Sequence, residues 1–270
     1  MRFPAIAFFF CVLALAAPSR AQAPARVDLE LVLAIDVSGS VDPEEAALQR
    51  DGYLRAFADP RVLRAISGGE RKRIAVAYIE WASTVYQRLV VDWMVIGDEA
   101  SADAFVKKLA AAPISTERWT SISGAVDFAV QRFAASPYRG SRRIIDISGD
   151  GRNNNGRSLA DARADALAQG VIINGLPIVN DRPARWGTPA ERDLDLYYRD
   201  HVIGGPGSFY IVAEGFESFA SAIRTKLVRE IAGEPAQIHP RMAGARLPPL
   251  KLTKLGEVFR LTGRQIAERR

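Results

Sequence analysis

The stretch Leu29-Glu30-Leu31-Val32-Leu33-Ala34-Ile35-Asp36-Val37-Ser38-Gly39-Ser40 decides the reading of this chain. Its first seven residues form an apolar run of the length expected for a buried strand. The run ends on a carboxylate and two hydroxyls at alternate positions, Asp36, Ser38 and Ser40. Gly39 can relax the backbone and let the three side chains converge. Three hard oxygen donors in one tight turn suit a hard cation such as Mg²⁺, Ca²⁺ or Mn²⁺.

Working outward, Pro43 opens a helix that should run through about Phe57. Residues 73–79 and 84–91 read as the second and third strands. Their short connection predicts an antiparallel hairpin, because parallel strands need a long crossover. Further strands are expected over 143–148, 171–179 and 209–212. Helices are expected over 102–111, 122–133 (capped by Ser121 or Ser123), 159–169 (stopped by Gly170) and 216–231. This alternation implies an α/β, doubly wound, mostly parallel six-stranded sheet, with one antiparallel edge strand and helices on both faces. Such sheets bind ligands beyond the carboxyl ends of their strands. Ser148-Gly149-Asp150-Gly151 lies at another such end. If the first and fourth strands are neighbours, Asp36 and Asp150 face one cleft.

Composition narrows the chemistry. The 270 residues are 48% hydrophobic, enough for one large domain with appendages. Residues 1–23 read as a cleavable export signal: Arg2, an apolar stretch from Ala5 to Ala17, then Ala21-Gln22-Ala23 in small-x-small form. The chain is therefore expected to be exported, periplasmic or secreted. Cys11 is its only cysteine and falls inside that signal, so disulfides and thiolate chemistry are excluded from the exported part. The formal charge of +5 is carried by the end of the chain. Residues 241–270 hold eight basic side chains against Glu257 and Glu268, while residues 24–240 come to −3. Nothing here supports nucleic-acid binding by the main domain.

At this point the residues resemble the von Willebrand factor A domain, also called the integrin I-type domain. Its metal-ion-dependent adhesion site reads Asp-x-Ser-x-Ser, then a distant Thr, then a distant Asp. Here Asp36, Ser38 and Ser40 match the first part. Thr120, in Arg118-Trp119-Thr120-Ser121, matches the Thr, and Asp150 matches the second Asp. The resemblance covers roughly residues 28–231. Gly204-Gly205-Pro206-Gly207 and Asp146-Ile147-Ser148-Gly149-Asp150-Gly151 are similar, more narrowly, to an uncharacterised exported bacterial family built on that domain. The resemblance implies a Mg²⁺ ion (or Ca²⁺ or Mn²⁺) held by these five residues, with its octahedron completed by an Asp or Glu of a protein partner. It implies adhesion rather than catalysis.

Other residues remain open on sequence alone. Asp146 shares side-chain parity with Ser148 and Asp150. It could accept from the ligand hydroxyls, or be a buried acid paired with a nearby Arg, the reading favoured here. Arg118 and Trp119 are partner contacts if exposed, and Trp119 is a loop brace if buried. Asn153-Asn154-Asn155 reads as a solvated loop, with Asn153 as a possible support or contact. Glu80-Trp81 reads as packing. His201 and His239 lack metal-like spacing, which disfavours zinc.

Domain bounds are expected at 28–232, with an ordered insertion at 181–207. The Pro-containing linker and basic amphipathic tail at 233–270 could touch an anionic membrane or an acidic partner. Two alternatives stand beside the adhesion reading. One is a metal-dependent hydrolase of phosphatase type, for which Ser38 stands where a second acid is wanted and no clear Lys follows the fourth strand. The other is a degenerate site on a scaffold that binds through 181–207.

Overall fold

The computed structural model describes residues 24–180 and 191–233. The expected signal, the linker and tail, Trp186 and His239 lie outside the described residues. Six strands form one sheet: β1 (Ala25–Asp36), β2 (Ile74–Trp81), β3 (Gln87–Ile96), β4 (Tyr138–Gly149), β5 (Ile172–Val179) and the short β6 (Ala213–Glu214). Their spatial order is β3-β2-β1-β4-β5-β6. Every pairing is parallel except β2 with β3, the hairpin that makes β3 an antiparallel edge. The doubly wound expectation therefore holds, and β1 and β4 are neighbours.

Helices cover both faces. On one side, α1 (Pro43–Phe57), α2 (Pro60–Ser67), α3 (Glu99–Ala110) and α7 (Phe219–Ala232) pack on Leu29, Leu31, Leu33 and Ile35 of β1. On the other, α4 (Ile122–Ala134) and α5 (Leu159–Ala168) pack on Val32 and Ala34, with Leu194, Tyr198 and Val202 of the insertion. Successive β1 residues thus serve opposite cores, as strand periodicity requires.

The caps lie where polar residues precede helices. Asp42 accepts from the amides of Glu44 and Glu45, and Glu45 returns a carboxylate to the Asp42 amide. Ser121 caps α4 by accepting from Gly124 N.

Several boundaries differ from expectation. The helix α2 was not anticipated; Asp59-Pro60 starts it after a two-residue break, with Asp59 as cap. β1 and β4 extend well before their apolar runs, pairing through Ala25 with Tyr138 and Arg26 with Arg139. Polar residues enter there because backbone pairing does not require apolar side chains. The third strand runs to Ile96 rather than 91. The expected 209–212 strand is a single bridge, Gly175 with Tyr210, and the strand proper is Ala213–Glu214. The last helix begins as a 3₁₀ turn, Phe216–Ser218. The described residues of the insertion include α6 (Leu194–Tyr197), continued by a wider π-type turn over Tyr198–Val202.

Candidate metal centre

Asp36 is the last residue of β1, and Asp150 follows β4 directly. Adjacent strand ends therefore deliver the two carboxylates. The Asp36 carboxylate folds back so that Oδ1 accepts from Ser38 N at 2.7 Å. That turn points the Ser38 hydroxyl at Ser40, with the two oxygens 3.2 Å apart. The Ser40 hydroxyl donates to Asp150 Oδ1 at 2.5 Å. Thr120 closes the set from the loop before α4: a Cβ on Gly151 would lie 3.4 Å from its Oγ1. Asp36, Ser38, Ser40, Thr120 and Asp150 are thus brought together at one end of the sheet.

Two features make this cluster electrostatically unusual. Asp36 is fully buried, and its Oδ2 has no hydrogen-bond partner among the described residues. Burial, then the neighbouring Asp150 charge, pushes the Asp36 carboxyl well above the ordinary carboxylate range. Burial likewise pushes Asp150 up to about 6, against the Ser40 hydrogen bond, with the Glu45 and Glu191 charges adding to the rise. Among the described residues no Lys or Arg forms an ion pair with either acid. Two buried carboxylates, three hydroxyl oxygens and no resident cation fit a divalent ion with hard-oxygen preference.

The loop that presents Thr120 is held by the residues after Asp150. Asn154 and Thr120 exchange bonds: Thr120 N donates to Asn154 Oδ1 and Asn154 N to Thr120 O, both at 2.8 Å. Asn153 Oδ1 accepts from Ser123 N at 2.9 Å. Asn155 Oδ1 accepts from Thr84 N at 2.8 Å, in the β2–β3 turn. The three asparagines are therefore braces, not a solvated loop. Gly156, at φ +94°, passes so close that a Cβ would meet the Ser121 and Ser123 hydroxyls at 2.7 and 2.9 Å.

Trp119 adopts φ +68° and is 60% exposed, so it does not brace the loop by burial. Arg118 beside it is also exposed. A bulky residue in the left-handed region is costly and persists where surrounding bonds dictate it.

Asp146 does not touch the cluster. It is fully buried on the α7 side of β4, where its Oδ1 lies 2.5 Å from Lys226 Nζ. The expected Arg partner is thus a Lys, from a helix eighty residues on. The contact is an ion pair without hydrogen-bond geometry. Lys226 also pairs with Glu230, which Asn174 supports through its Nδ2 at 2.8 Å. Glu80 is the buried partner of Arg50, whose guanidinium also donates to Leu109 O and Ala112 O, so its role is packing.

The insertion lies over the Asp150 turn. Arg152 pairs with Glu191 at 3.0 Å and lies 4.9 Å over the Tyr197 ring. Asn153 N donates to the Tyr197 hydroxyl at 3.2 Å. His201 stacks on Tyr197 and has no part in the cluster.

Comparison with known proteins places the fold. A family model described as Protein of unknown function (DUF1194) matches residues 26–235. No curated protein matches the chain. Among solved structures, proximal thread matrix protein 1 from the mussel byssus, with a zinc-occupied MIDAS motif, superposes with TM-score 0.53 at 14% identity. That alignment covers 76% of this chain and 46% of that one. A von Willebrand factor type A protein from Catenulispora acidiphila gives 0.54 at 13%, covering 76% and 43%. The pilus adhesin SpaC from Lactobacillus rhamnosus GG, in its open conformation, gives 0.55 at 13%, covering 76% and 30%. The chain spans less than half the length of each. At these identities the likeness is one of fold: the chain has the von Willebrand factor A-type fold.

Proposed function

We propose, on the premise that the chain belongs to the DUF1194 family of proteins of unknown function, that it is a divalent-cation-dependent protein-binding module of the adhesion type. The observation that carries this reading is the buried Asp36–Asp150 pair, linked through Ser38 and Ser40 and given no Lys or Arg ion pair among the described residues. Asp36, Ser38, Ser40, Thr120 and Asp150 would hold the ion, with Mg²⁺ first and Mn²⁺, Ca²⁺ or Zn²⁺ as alternatives. Bound there, it would supply positive charge that a partner's Asp or Glu carboxylate can complete.

The protein's own residues do the rest. Ser38 N fixes one Asp36 oxygen, Ser40 orients Asp150, and the asparagine braces hold Thr120 in place. Trp119, exposed at the rim, supplies apolar area next to the incoming carboxylate, the arrangement of an interface hot spot. The export signal read in residues 1–23 would put this encounter in the periplasm or outside the cell.

Calorimetry with Mg²⁺, Mn²⁺, Ca²⁺ and Zn²⁺ tests the reading. The wild type should bind at one site, and Asp36→Ala should lose that binding. Equal binding by both would remove the assignment. Capture of a partner from envelope extract should then vanish with EDTA.

A further inference from the structure

The connection after β5 carries a polar group that the five-residue cluster does not explain. Tyr198 opens the π-type turn and is fully buried, and its hydroxyl has no hydrogen-bond partner among the described residues. A buried phenol usually finds one. Asp36 Oδ2 is in the same position, buried and unpartnered. The two atoms flank one point. A Cβ on Gly149 would stand 2.7 Å from Asp36 Oδ2 and 3.0 Å from the Tyr198 hydroxyl oxygen. Glycine at 149 therefore keeps open the space between an orphan donor and an orphan acceptor.

The segment that carries Tyr198 is fastened to the site independently. Arg152, two residues after Asp150, donates through Nε to Glu191 at 3.0 Å and through Nη2 to Arg192 O at 2.9 Å. Asn153 N reaches the Tyr197 hydroxyl. The same segment thus grips the Asp150 turn and aims a phenol at Asp36. The wider turn shifts the following side chains relative to a regular helix, a device frequent at functional sites.

We infer that Tyr198 is a positioning residue of the metal centre: its hydroxyl donates to Asp36 Oδ2 and fixes that carboxylate for the ion. This rests on the five-residue reading above. Oδ1 is already held by Ser38 N, so a Tyr198 hydrogen bond to the unpartnered Oδ2 would stop the carboxylate from rotating. Donors of this kind set ligand orientation, and their loss typically costs about 10–100-fold in metal affinity.

The test is titration of the full chain with Mn²⁺ and Mg²⁺, wild type against Tyr198→Phe and Tyr197→Phe. Tyr198→Phe should bind about 10–100-fold more weakly. It should keep its metal-free melting temperature and lose the tyrosine near-ultraviolet difference band that the ion induces in wild type. Tyr197→Phe, whose hydroxyl accepts from Asn153, should stay within a few-fold of wild type. Affinity within about twofold of wild type in Tyr198→Phe overturns the inference, as does a lowered melting temperature with unchanged affinity. Equal losses in both variants would assign the effect to packing of the segment and also overturn it. If the wild type binds neither ion, the five-residue reading fails and takes this inference with it. Wild-type binding with an unaffected Tyr198→Phe breaks the inference alone.

Discussion

Two buried acids on and just beyond β4 meet opposite fates. Asp146 sits within the strand and has the Lys226 ammonium, which also serves Glu230. Asp150, one residue past the strand, has the hydroxyl of Ser40 and the neighbouring Asp36, and forms no ion pair with a Lys or Arg among the described residues. Burial penalises the charged form of both, because a buried charge needs a counter-charge. The fold supplies that counter-charge from α7 in the first case. At the strand ends the described residues supply hydroxyls and the Ser38 N–H but no ammonium or guanidinium. On the proposed reading, the difference separates a charge that stabilises the fold from a charge kept for an ion that arrives from outside.

The comparison breaks first at Lys226. Lys226→Met leaves Asp146 and Glu230 buried without their ammonium and should destabilise the protein by about 3–5 kcal/mol. Urea unfolding measures it, and the loss should be the same with or without Mg²⁺. A variant as stable as wild type would show that this acid pair is not held by its cation.

The strand-end pair should respond in the opposite way. Mg²⁺ at about a hundred times its dissociation constant should raise stability by about 2.7 kcal/mol through mass action. Asp36→Asn should abolish that gain while leaving the metal-free protein at least as stable, since it removes a repulsion. A metal-induced rise in melting temperature that survives Asp36→Asn would place the ion elsewhere.

Acidity sharpens the contrast further. Asp150, pushed up to about 6, and Glu230, pushed up to about 7 by burial and then by Asp146, both have folded-state values above their unfolded ones. The native state therefore holds protons that the unfolded chain has released. Stability is fully present near pH 4, and it falls as pH rises through 6 for Asp150 and 7 for Glu230. The expected loss is on the order of 3 kcal/mol per group. Saturating Mg²⁺ should remove the Asp150 step and leave the Glu230 step. Melting curves from pH 4 to 8 with and without the ion read both.

The smallest effect on stability belongs to the rim. Trp119→Ala should change unfolding free energy by no more than about 0.5 kcal/mol, as exposed positions usually do. It should nonetheless cost on the order of 2 kcal/mol in affinity for a captured partner. A large loss of stability instead would make Trp119 a structural residue.

The sequence displayed the sheet because its order follows from local period and connection length. The run before Asp36, the short link after Trp81 and the helical patterns between strands were readable without any tertiary knowledge. Asp36, Ser38, Ser40 and Asp150 were readable as oxygens at strand ends, and Thr120 was matched through the resemblance to the von Willebrand factor A signature. What supports them was not. Asn153, Asn154 and Asn155 look like any polar turn until Thr120, Ser123 and Thr84 are seen to donate to them. Lys226 lies eighty residues from Asp146, and nothing along the chain links them. Tyr198 could be placed in a helical segment, but the π-type turn that aims its hydroxyl has no periodic signature. Expected strand ends failed where backbone pairing continued past the apolar residues, as at Ala25 and Tyr138.

The asparagine braces have a kinetic meaning. Three side-chain carbonyls immobilise the Thr120 loop, the start of α4 and the β2–β3 turn during folding itself. The entropy of ordering those segments is thereby settled before any ion or partner arrives. On the proposed reading, an encounter would have no loop closure to wait for, so its rate would be set by diffusion and orientation. Differences in affinity among partners should accordingly lie in how long they stay.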